Sequence, residues 1–213
     1  MKNLKLIAGV ILFGSLWGFS EVIIGSGINE TGIPTGAIMT GFFALFFLVF
    51  SRISFKKPGM QLGMGLVAGS LKLFNPFVGC HLCSAIAIMA EGAIFELIWY
   101  KFALDDYNLS SIKMKSSIGI ITAYLTYISG YIITQVLTPI VSGANFYIEN
   151  LIVFIPNILG GGLIAAVIGG ITVPIALLIY KFDFSIKDTL YYPTSIGISI
   201  LCWILVIGNW LIA

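Results

Sequence analysis

The stretch KLFNPFVGCHLCSAIAIMAEGAIFE (residues 72–96) decides how this chain is read. It sets a lysine, an Asn-Pro break, a Cys-His-Leu-Cys turn and two glutamates into a run that is otherwise apolar. Only 9% of the residues are Asp, Glu, Lys or Arg, against about 25% in an ordinary soluble domain. A charge kept inside such a chain needs a partner, water or a proton, because an isolated ion is costly to hold in hydrocarbon.

Outward from this stretch, the composition sets the class. The chain is 59% apolar, its mean hydropathy is +1.06, and its apolar runs reach about 20 residues, the length of a helix that crosses a bilayer. We read an all-α fold: a polytopic transmembrane helical bundle, one integral membrane domain over residues 1–213, multi-pass in a cell membrane and expected in the plasma membrane of a prokaryote. Spans and short loops consume the chain. That excludes a soluble catalytic domain, a nucleotide-binding domain and a nucleic-acid-binding face, and the net charge of +2 reports where the loops lie. The N-terminal MKNLK precedes an apolar run longer than a signal peptide's and without a small-x-small cleavage site, so it reads as a retained first span.

The apolar runs predict about seven spans, at residues 6–24, 36–50, 59–74, 84–100, 118–137, 161–180 and 192–212, or six if the last is not inserted. Residues 25–35, Gly-rich with Glu30 and Pro34, read as a loop. Asn75-Pro76 ends the third span, since proline disfavours a helical predecessor. Residues 151–180 are too long for one crossing, and Pro156 with the Gly160-Gly161-Gly162 run predicts a short interfacial or re-entrant piece before the sixth span. In seven spans Lys2, Lys5, Arg52, Lys56, Lys57, Lys101, Lys113, Lys115, Lys181 and Lys187 share one side and Lys72 is the exception, which predicts a cytoplasmic N-terminus. The loops with Glu30, Cys80 to Cys83 and Glu149 then face outward. GSL at Gly14 recurs at Gly69 and AIM at Ala37 recurs at Ala87, the pattern of a tandem hairpin repeat over 6–50 and 59–100; such repeats place binding sites between copies.

Lys72 lies near the outer end of the third span with Asn75 a turn further on, and Trp17 and Glu21 are a turn apart at comparable depth in the first, so Lys72 and Glu21 can meet. Glu91 falls mid-span and Glu96 deeper, on another face. One lysine neutralises one carboxylate; the other two need cations or protons. Two ligand types fit: a small zwitterionic or acidic molecule on Lys72, Asn75 and Trp17, or a cation on Glu91 and Glu21, with proton coupling through Glu91 as a third option. The structural alternative is that Lys72 only neutralises a carboxylate while Glu96 reaches the cytoplasmic interface.

Cys80, His81 and Cys83 offer soft-metal ligands, although zinc wants a fourth and adjacent Cys80-His81 chelate poorly together. An outward position equally permits a disulfide or thiol exchange, or a purely structural cap, and no other cofactor is indicated. Cys202 reads as packing. Gly14-x-x-x-Gly18 and Gly65-x-x-x-Gly69 let helices approach closely, inside the bundle or against a partner subunit.

A hydrophobic chain of this size, built as a compact helical bundle with a small-x-x-x-small surface on its first span, resembles the substrate-binding S components of energy-coupling factor vitamin transporters. The resemblance implies that Gly14 and Gly18 contact a transmembrane coupling subunit and that separate ATPases supply energy. The family usually has six spans; its seven-span cobalt and nickel members carry an N-terminal metal-binding histidine segment, which MKNLK lacks. The expected function is therefore a transport subunit that binds a small vitamin-like or ionic solute from outside for uptake, with a site between the first, third and fourth spans and lids at 25–35 and 74–83. The alternatives are a self-contained proton-coupled carrier using Glu91, an extracytoplasmic thiol redox enzyme using Cys80 and Cys83, and a scaffold without a ligand.

Overall fold

A computed structural model describes residues 2–76, 80–101, 111–143, 145, 148–180 and 188–212, and among them every regular element is helical. The first rod is α1 (Lys2–Phe19), a π-helical segment (Ser20–Ile24) and α2 (Gly25–Asn29) in unbroken succession. The second is α3 (Thr35–Ile38), another π-helical segment (Met39–Ala44) and α4 (Leu45–Phe55). Then follow α5 (Met60–Lys72), α6 (His81–Lys101), α7 (Ile112–Ser142), α8 (Ile148–Tyr180) and α9 (Asp188–Ile212). Among the described residues six rods are long and apolar enough to cross a membrane, namely both composite rods, α6, α7, α8 and α9. α5 has 13 residues and so reaches about 20 Å, short of the roughly 30 Å hydrocarbon core.

Side-chain pairings show how the rods run. Gly14 of α1 faces Met64 and Val67, and Gly18 faces Ala68 and Leu71, so α1 and α5 are parallel. Gly65 meets Gly92 and Gly69 meets Ala85, which makes α6 antiparallel to α5. Gly119 packs on Gly169 and Gly161 on Tyr127, an antiparallel α7–α8 pair, while Gly41 against Ala165 and Leu45 against Gly169 set α8 parallel to the second rod. α9 runs alongside α1, with Trp203 Nε1 donating to Ser15 Oγ at 3.1 Å and Tyr191 at Lys5. Between α1, α4, α5, α6 and α8 lies one core that includes Trp17, Leu48, Met64, Phe95, Trp99 and Val173. Val153, Leu163, Val167, Ile171, Ile204 and Leu211 of α8 and α9 point outward, as apolar side chains do when lipid is the solvent.

Two expectations change. Residues 25–29 are helical, and only 30–34 form the connection, because the π-helical turn carries the rod on and Ser26 donates its hydroxyl to the Val22 carbonyl. No re-entrant piece precedes the sixth span: α8 is continuous through Pro156 and Pro174, and the Gly161-Gly162 pair seats the rings of Tyr127 and Tyr124 from α7. Prolines are tolerated in such helices because neighbouring helices and local adjustments re-satisfy the backbone. Of the two roles open to Gly14 and Gly18, packing inside the bundle is met by α5: a Cβ at Gly14 would sit 2.7 Å from Val67 Cβ. Lys181 and Lys187 of the basic loops, and residues 77–79 of the outer segment 74–83, lie outside the described residues.

Candidate functional site

The π-helical segments are where the site begins. In an α-helix the Gly25 amide would bond the carbonyl of Glu21; here it bonds that of Ser20, five residues back. The ammonium of Lys72, arriving from the last turn of α5, donates to the Glu21 carbonyl at 2.7 Å and to its Oε2 at 3.1 Å. Trp17 Nε1, one turn earlier on α1, donates to the other carboxylate oxygen at 3.4 Å. Glu21 and Lys72 are 6% and 9% exposed, so this ion pair is buried. In the second rod the Leu45 amide likewise bonds the carbonyl of Thr40, and the Thr40 hydroxyl donates to Glu91 Oε1 at 2.6 Å. Both irregular turns, a feature that recurs at functional sites, thus carry contacts to charged groups.

These groups wall a cavity of about 310 Å³. The first rod contributes Glu21, Ser26 and Asn29; the second contributes Thr35, Gly36 and Thr40. Lys72 and Asn75 close one side, and α6 presents Cys83, Ser84 and Glu91. α7 adds Tyr131, Thr134 and Gln135. Tyr131 is set by Tyr127, its ring centroid 4.5 Å away. Gly130 makes room for the carboxylate: a Cβ there would lie 3.0 Å from Glu91 Cγ. Glu91 is 3% exposed, and its Oε2 is buried without a hydrogen-bond partner among the described residues.

Four of the six proposed binding residues, Glu21, Lys72, Asn75 and Glu91, line this one space. Trp17 stands behind it, fully buried, and acts on it through Glu21. Glu96 is elsewhere: its carboxylate accepts from the amides of Gly59 and Leu62, the latter at 2.9 Å, and so caps the N-terminus of α5 at the opposite end of that helix. Cys80 and Cys83 are joined as a disulfide at the start of α6, which takes away the thiolates that a metal would need. Among the described residues no group of three His, Cys, Asp or Glu side chains is placed to hold a metal ion, so the ligand set Cys80, His81 and Cys83 is not assembled. Thr40, Ser84, Tyr131, Thr134 and Gln135 are site residues that charge-based reading of the sequence passes over.

Charge, hydroxyl and amide groups around a small space are the means to bind and orient a polar molecule. No protein family, curated protein or solved structure matches the chain.

Proposed function

We propose that this protein is a membrane transport subunit that captures a small polar solute from outside for uptake. The observation that carries the reading is the cavity itself: in a chain with only 9% charged residues, three of its charged side chains and a set of hydroxyls and amides from five segments converge on about 310 Å³. Alternating rod directions support seven crossings, with α5 as a short third one, and the basic loops favour a cytoplasmic N-terminus; the cavity would then lie nearer the outer face of a prokaryotic plasma membrane. Energy would come from separate ATPases through a coupling subunit. With Gly14 and Gly18 taken up by α5, that subunit would meet another face of the bundle.

A second reading rests on Glu91. Its Oε2, without a hydrogen-bond partner among the described residues, suits a proton-binding site, and a self-contained proton-coupled carrier would use it so. The disulfide at the cavity rim keeps the thiol redox enzyme as a third. Native mass spectrometry of the protein, released gently from its host membrane, separates them. Capture subunits should carry a small added mass together with coupling and ATPase chains; a lone, ligand-free chain would overturn the proposal and favour the carrier or redox readings.

A further inference from the structure

We infer that the solute carries a cationic nitrogen, as an ammonium or amidinium group, and that it seats this nitrogen on Glu91 Oε2. The inference rests on the solute-capture reading and adds a substrate class to it. It begins from the charges in the cavity wall. Lys72 is committed to Glu21 twice, through the carboxylate and through the backbone carbonyl that the π-helical turn releases. That pair is neutral within itself. Glu91 is then a lining carboxylate that, among the described residues, has no cation in hydrogen-bonding contact: the Thr40 hydroxyl holds one oxygen, and the other is buried at the cavity wall without a hydrogen-bond partner.

A ligand N⁺–H in that position answers both deficits at once, since it fills the empty acceptor and balances the charge. Hydrogen bonds between ionised partners are about twice as strong as neutral ones, and in a site screened from water the advantage grows. A neutral hydroxyl would fill the acceptor alone. An anion would have to draw Lys72 from Glu21 while lying within the repulsion of Glu91. Tyr131, Thr134 and Gln135 of α7, which line the same cavity, supply groups for the polar remainder of the molecule.

Three probes of nearly one shape test the charge: benzylammonium, benzyl alcohol and benzoate, each titrated into the full-length protein in detergent while thermal unfolding is followed by tryptophan fluorescence. A ligand of the folded state raises the unfolding temperature by mass action. Benzylammonium should bind at least tenfold more tightly than benzyl alcohol, and Glu91→Gln should bring that ratio close to one. Should Glu91→Gln fail to fold, the ranking of the three probes on the unaltered protein still decides. Tighter binding of the alcohol or of benzoate, or an equal gain from sodium ion, overturns the cationic nitrogen and leaves solute capture standing. Binding of none of the three, with no small molecule retained on protein taken from its membrane, overturns both.

Discussion

Lys72 touches Glu21 at two points, and both residues are buried. Removing one partner of a buried pair strands the other's charge, at a cost of about 3–5 kcal/mol. Lys72→Met and Glu21→Gln should each lower the thermal unfolding temperature of the ligand-free protein, and the double variant should lose less than the two losses together, since the residues share one interaction. Equal and additive losses would show that the pair is not energetically coupled. This contact is legible in the sequence because charge is so scarce that Lys72 and Glu21 stand out at matching depths. Thr40 and Tyr131 are not legible that way. Hydroxyls are common packing groups in spans, and what turns Thr40 into a site residue is Glu91, fifty-one positions away. Glu96 shows the converse: it stands out as a charge, yet its partners are amides of another helix, which no side-chain pattern announces.

At the scale of elements, the two π-helical segments are what straight-helix reasoning misses. Each extra residue in a turn rotates everything beyond it by about 100°, so faces assigned from the first half of a rod do not carry into the second. That rotation is hidden in an apolar sequence with weak periodicity. The glycines are legible as close-approach sites, but whether they serve the bundle or a partner is decided by what lies opposite. For Gly14 and Gly18 that is α5. Gly14→Leu therefore should unfold the isolated protein at a lower temperature, by an overpacking penalty of about 1–3 kcal/mol or more, in the absence of any other subunit. Unchanged stability of the isolated chain, with loss only of an assembly, would return these residues to a partner-facing role.

For the whole molecule, the all-helical, multi-pass class is readable from the apolar runs and the relative directions of the rods follow from the contacts, while α5 is the element that composition alone does not classify. At 13 residues it is shorter than a crossing. Its direction, parallel to α1 and antiparallel to α6, is what makes the seven-crossing reading consistent with the basic loops. A reporter enzyme fused after residue 213 and active only outside the cell should be active, and the same reporter fused before residue 1 should be silent; the reverse, or both ends on one side, would sink that topology. The shortness of α5 has an electrical consequence. Glu91 lies ten residues into α6 from His81, about 15 Å along the helix axis, and the polar cavity lets a high-dielectric medium reach toward that depth. On the solute-capture reading, the membrane potential would then fall mostly across the remaining half of the bundle instead of across the full bilayer. On the cationic reading, a solute that settles on Glu91 has travelled through little of that field, so occupancy from outside would respond weakly to voltage, and the electrical work would fall on the step that carries the charge past Phe95 and Trp99 to the basic end.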